Sequence, residues 1–238
     1  MKKFIISFDA ATKSLAYTLN EIDMDFFDNN SEIIKYAMKL IKMYKILIKK
    51  SNIIIDEVQL LNAEFEKIIS QIRATIIIHH GETIDLYPEI ADKEITTIQR
   101  VIGTIEYCKT KCIQQINELR IQDLIVMVEL QMGPNIKSKI SSVILFTIFA
   151  SLPIKVELIE VNPCLKNKIY FGEKNMYSNF SSKYDKSYTA NKNHAIENFL
   201  TICELYTIPD YFKSIKRAQL GHMADSFMQV IGYYKHIL

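Results

Sequence analysis

The chain has 238 residues, 49% of them hydrophobic, enough to bury a sizeable core as one elaborated domain. Its 29 Lys and Arg stand against 27 Asp and Glu, so a formal net charge of +2 offers no global argument for a polyanionic partner, and any basic surface must come from segregation. The longest apolar run, residues 143–152, falls short of the roughly 20 residues that cross a bilayer, and Asp9 breaks the apolar start too early for an export signal, which reads as a soluble, intracellular protein without a membrane partner.

Residues 3–9 are β-branched and aromatic enough for a buried strand, and residues 15–20 predict its hairpin partner. Residues 23–30 are polar and helix-poor. A helix is expected from Ser31 and Glu32 to residue 50, and a second over 63–78 with Asn62 as its cap, so the region of about 21–81 reads as a helical insertion after the hairpin. Residues 82–90 predict a strand ending near Pro88, followed by a long helix over about 93–120. Residues 124–130 (LIVMVEL) are apolar on both faces, as a central strand is, and Glu129 is their one charge. After Gly133-Pro134 a helix is expected over 135–150, stopped by Pro153, then a strand over 155–161 that ends at Asn162-Pro163. Strand and helix alternate here, which implies parallel pairing. Residues 166–186 are polar and without periodicity, a loop; 188–205 are amphipathic, and 219–234 form the last helix. The cysteines (Cys108, Cys112, Cys164, Cys203) include no CxxC pair and read as buried or idle thiols.

Asp9 closes one apolar strand and Glu129 another. A carboxylate at the tail of a buried strand loses hydration unless something positive or hydrogen-bonding meets it, and two such positions invite a shared cation. His222 and Asp225 are three apart in a helical stretch and so address one point. Together the four supply oxygen and imidazole donors suited to Mg²⁺ or Mn²⁺ rather than a thiolate zinc site. Each residue alone has an ordinary reading, as a turn residue, a paired charge or a solvated helix position. Small neighbours add weight: Ala10, Ala11 and Thr12 follow Asp9, and Ala224 and Ser226 flank Asp225.

The segment FDAATKSLA at 8–16 resembles the first-strand motif of RuvC-like nucleases, VELQ at 128–131 their fourth-strand glutamate motif, and LGHMADSF at 220–227 their C-terminal helix motif. Within that family the chain is similar to the Holliday junction resolvases of poxviruses and related large DNA viruses. EVNP at 160–163 matches their strand-end motif and YTANKNHA at 188–195 their basic helix. The ordered resemblance covers residues 3–20 and roughly 82–235. Two departures stand out: Gly221-His222 replaces consecutive acids, as the His-x-x-Asp of bacterial RuvC also does, and Ala11 stands where Gly is common.

The resemblance implies an α/β, ribonuclease H-like fold across 1–238 as a single domain: a five-stranded mixed sheet flanked by helices, its first three strands antiparallel, with the insertion at about 21–81. It implies a structure-selective DNA endonuclease that resolves four-way junctions with two Mg²⁺ ions, for which Mn²⁺ can substitute, held about 3.5–4 Å apart. Asp9 would bridge the metals, Glu129 and Asp225 would each hold one, and His222 would act as ligand or water-orienting base. Lys192, with Lys183 and Lys186, would contact DNA, and the loop lysines with Tyr170, Phe171, Tyr177, Phe180 and Tyr184 could track it. The helix over 135–150, with Ser138, Ser141, Ser142 and Ala150, could serve a homodimer interface or be an ordinary core helix. If the source is viral, the site of action is viral DNA replication in the host cell. The alternatives are a related nuclease acting on flaps, hybrids or single strands, and a non-catalytic junction-binding protein.

Overall fold

The computed structural model describes residues 2–10, 14–26, 76–91, 93–130, 136–163 and 217–233, with single positions between 29 and 67 and at 195, 196, 199, 200 and 215. Five strands form one sheet. Strands β1 (Lys2–Ala10), β2 (Ser14–Asp23) and β3 (Ile76–Asp85) pair antiparallel in succession. Strand β4 (Asp123–Glu129) lies parallel to β1, and β5 (Lys155–Val161) parallel to β4, in the order β3-β2-β1-β4-β5. This is the five-stranded mixed sheet, antiparallel in its first half, that the resemblance implies.

Both faces of the central strands are covered. Because side chains alternate along a strand, Ile5 and Met127 join Ile22 and Ile78 against the last helix, where Met223, Ala224, Phe227 and Ile231 meet them. Ile6, Phe8, Val126 and Val128 face the other way, onto Cys108, Cys112, Ile116, Leu145 and Phe149. The Phe8 ring lies 5.4 Å from Phe149 and 5.8 Å from Tyr17, centroid to centroid.

Helix α1 (Thr97–Tyr107) starts on a capping box in which Thr96 accepts from the Gln99 backbone and the Gln99 side chain accepts from the Thr96 backbone. A π-turn (Cys108–Cys112) and α2 (Ile113–Glu118) continue it. Buried positions 100, 104, 108, 112 and 116 recur every four residues. In a 3.6-residue helix that spacing drifts by about 40° per step, and one under-wound turn returns the stripe to the sheet. Cys108 and Cys112 are free thiols inside this turn, and burial pushes the Cys112 thiol up, which fits idle core cysteines. Cys164 and Cys203 lie outside the described residues. Past α2, Ile121 N–H donates to the Ile116 carbonyl and Arg120 N–H to Asn117, and Arg120 takes the left-handed conformation (φ 53°) that such an ending requires.

Helix α3 (Ile136–Ala150) follows β4, and α4 (Arg217–Tyr233) closes the described chain. Ser141 and Ser142 are buried and Ala150 is exposed. The side chain of Ser138 is not among those described. Among the described residues no helix is long and apolar enough to cross a membrane.

Several expectations need correction. Residues 76–78 belong to β3 and not to a helix, since Ile76 and Ile78 pair with Ile22 and Asn20 of β2 and enter the core. The strand expected over 82–90 therefore runs Ile76–Asp85, where the Asp85 carboxylate accepts from Tyr87 N–H and turns the chain before Pro88. The long helix begins at Thr97 rather than near 93, because the cap is Thr96. The connection between β2 and β3 accordingly spans residues 24–75, shorter at both ends than the expected 21–81. It opens with a helical turn at 24–26, where no helix was expected.

Candidate active site

Register brings the two strand carboxylates together. Phe8 of β1 pairs with Val128 of parallel β4, so Asp9 and Glu129 are each the next residue, side by side at the strand ends. Alternation sends both toward α4, as their neighbours two residues back already do: Ser7 hydrogen-bonds to Gln229, and Met127 sits in the α4 core. Opposite Asp9 on β2 is Ala16, fully buried, whose methyl leaves room beside the carboxylate. Helix α4 presents His222, Asp225 and Gln229 along one stripe, at spacings of three and four. Ala224 and Ser226 are both fully buried, so these small residues let α4 lie close on the sheet.

The contacts are specific. His222 Nδ1 lies 2.7 Å from Asp9 Oδ2. Asp9 is 7% exposed and Asp225 6%, so both carboxylates are largely removed from water. Since a carboxylate only accepts, His222 Nδ1 is the donor in this contact. Gln229 Nε2 donates to Glu129 Oε2 at 2.5 Å, and Ser7 Oγ donates to Gln229 Oε1 at 3.3 Å. One turn earlier Ser226 Oγ donates to the Met223 carbonyl at 2.8 Å and approaches Thr18 Oγ1 at 3.5 Å.

Asp9 and His222 thus meet directly, Glu129 meets α4 through Gln229, and Asp225 lies between them on the helix stripe. The donors are all carboxylate or imidazole, the kind that suits a hard divalent cation. Among the described residues no three His, Cys, Asp or Glu side chains close around a point that could hold an ion. The EVNP segment ends β5 beside the site, with Val161 in register with Glu129 and its carbonyl accepting from Leu130 N–H at 2.8 Å. Lys183, Lys186 and Lys192 lie outside the described residues, as do the loop lysines and aromatics. The polar partners Ser7 and Gln229 were missed in the sequence, although each interrupts an otherwise apolar stretch.

A cavity of about 410 Å³ opens at the β3 edge between His80, Glu82, Lys111, Gln115 and Glu118. None of Asp9, Glu129, His222 and Asp225 lines it, so it is separate from the carboxylate site. Two of its lining residues are tied to β2: Tyr17 donates to Gln115 Oε1 at 3.0 Å and lies 2.7 Å from His80 Nδ1.

No family model matches the chain, and no curated protein matches it. Among solved structures it is similar to the Fowlpox virus resolvase in complex with its substrate Holliday junction DNA, at 17% identity and a TM-score of 0.47 over 99% of each chain. It is also similar to Ydc2, the yeast mitochondrial Holliday junction resolvase, at 11% identity and 0.49, over 99% of this chain and 79% of that one. Thermus thermophilus RuvC is similar at 9% identity and 0.45, over 99% of this chain and 96% of its own.

Proposed function

We propose that this chain is a divalent-metal-dependent endonuclease that resolves four-way DNA junctions as a homodimer, one strand cut by each subunit. The observation that carries the reading is the pair of carboxylates, Asp9 and Glu129, side by side at the ends of two parallel strands beneath the helix that bears His222 and Asp225. Asp9 is largely removed from water and Glu129 is half-buried beside it, and these two carboxylates with Asp225 and one imidazole suit a bound cation.

Asp9, Glu129 and Asp225 would hold Mg²⁺ or Mn²⁺, with His222 as a further ligand or as the group that handles the attacking water. The bound metal supplies Lewis acidity to the phosphate and a water acidic enough to attack near neutral pH. Asp9 pins the His222 ring through Nδ1, leaving Nε2 to orient that water or take its proton. Gln229 keeps Glu129 at the strand end. Hydrolysis in this manner leaves a 5′-phosphate and a 3′-hydroxyl. Two such sites related by a dimer two-fold would match the two-fold symmetry of the junction. Lys183, Lys186 and Lys192 are proposed as backbone contacts to the DNA, and viral DNA replication in a host cell as the setting.

The test is cleavage of a four-way junction in Mg²⁺, with Asp9→Asn as control. Paired nicks lost in Asp9→Asn support the reading. Cutting of flaps or hybrids with intact junctions favours a related nuclease, and tight junction binding with no cutting in Mg²⁺ or Mn²⁺ leaves only a binding protein.

A further inference from the structure

We infer that Gln229 is a positioning residue that fixes the Glu129 carboxylate at the end of β4 without neutralising its charge. The inference rests on the metal-dependent reading above.

Gln229 is fully buried in the α4 segment FMQVI, whose other residues are all apolar and buried. A buried amide is costly unless its hydrogen bonds are made. Packing alone would be served better by Leu or Met.

The bonds it makes determine its orientation. Glu129 can only accept, so the amide NH₂ must face it, and the amide carbonyl then faces the Ser7 hydroxyl, which donates. Reversing the amide would set its oxygen against the carboxylate. Ser7 is also fully buried, so three groups on β1, β4 and α4 lock one another. A glutamate side chain has three rotatable bonds, and a fixed partner holds it in one arrangement.

A Lys or Arg at this position would also hold Glu129 but would cancel its charge. An amide holds it and leaves the negative charge available to a cation. Gln229 lies seven residues after His222 and four after Asp225 on the same stripe. One rigid helix therefore sets the position of the strand acid together with its own donors, which is how groups behind metal ligands act on affinity.

The experiment is Mn²⁺ binding to the full chain followed by electron paramagnetic resonance. It compares wild type, Gln229→Met and Ser7→Ala, with thermal unfolding in EDTA as a check of folding and junction cleavage alongside. Gln229→Met keeps the length of the side chain and loses the donor. Its Mn²⁺ affinity is expected to fall about 10–100-fold. Junction kcat should fall with KM for the junction unchanged, and should recover at raised Mn²⁺, which a packing defect would not do. Ser7→Ala should shift affinity in the same direction by less. Wild-type Mn²⁺ affinity in a folded Gln229→Met overturns the inference. Should that variant fail to fold, an unchanged affinity in Ser7→Ala overturns it instead. If wild type binds Mn²⁺ but cuts no junction, the nuclease reading falls while the titration still decides the role of Gln229. If wild type binds no Mn²⁺, both fall.

Discussion

Replacing His222 with Ala takes a 2.7 Å hydrogen bond from a carboxylate whose residue is 7% exposed. A hydrogen bond to an ionised group contributes about 1.5–3 kcal/mol. The imidazole is 21% exposed, so the packing it gives up adds to that loss. His222→Ala should therefore lose at least about 1.5–3 kcal/mol in EDTA, which at about 2–4 °C per kcal/mol for a chain of this size lowers the melting midpoint by about 3–12 °C or more. A cation that binds the native state adds about 2.7 kcal/mol at one hundred times its Kd, so Mg²⁺ should return most of that stability. His222→Asp is the sharper variant. It sets a second carboxylate against Asp9, which lowers stability in EDTA further and turns into an additional ligand in Mg²⁺, so activity should survive with a steeper Mg²⁺ dependence. Denaturant unfolding of the three proteins with and without Mg²⁺ measures this directly. A loss below about 0.5 kcal/mol for His222→Ala in EDTA, the range of inert surface substitutions, would refute the coupling. So would Mg²⁺ stabilising His222→Asp no more than wild type.

Arg120 holds the left-handed position after α2 that glycine occupies more easily, so Arg120→Gly should raise stability by about 0.5–1 kcal/mol in denaturant melts; destabilisation would mean that its side chain contributes more than the backbone strain costs. Burial holds the His80 imidazole below its ordinary value of 6.5, so above that pH it costs nothing, and as pH falls below 6.5 the unfolded chain takes up the proton first and stability declines toward the folded value. Unfolding free energies measured across that interval should slope upward with pH, and His80→Gln should flatten the slope. At lower pH Glu21 adds to the same trend. Burial raises its carboxyl, but hydrogen bonds from Lys2 and His79 outweigh that and hold it below its ordinary 4.5, so its contribution is present above 4.5 and is lost as pH falls through the folded value.

The elements whose hydrophobic pattern is decided locally were legible. Strands β1, β4 and β5 and helix α4 end within a residue or two of their expected limits, because both faces of the central strands are apolar and Pro153 and Asn162-Pro163 punctuate the rest. Only the last residues of β3 were legible, within the strand expected over 82–90, because His79, His80 and Gly81 interrupt its apolar run, and what makes 76–81 a strand is pairing with β2 across more than fifty residues of chain. A register shift between Leu19 and Asn20 absorbs that irregular stretch. The π-turn at Cys108–Cys112 leaves only the four-residue spacing of buried positions as its trace. Within the site, Asp9 and Glu129 were visible as charges closing apolar strands. Gln229 and Ser7 were not, because an uncharged polar residue in an apolar run reads as a tolerated exception until the partner on another element is known.

The most direct measurement is anomalous diffraction from crystals of the full chain soaked in Mn²⁺. The account predicts a peak between the ends of β1 and β4 and the helix α4, with carboxylate oxygens of Asp9 and of Glu129 or Asp225 about 2.0–2.3 Å away, as hard divalent ions require. It also predicts loss of that peak in Asp9→Asn. A soaked crystal with no peak there, or one whose peak persists unchanged without the Asp9 carboxylate, would contradict the claim that these strand ends and α4 form a metal site.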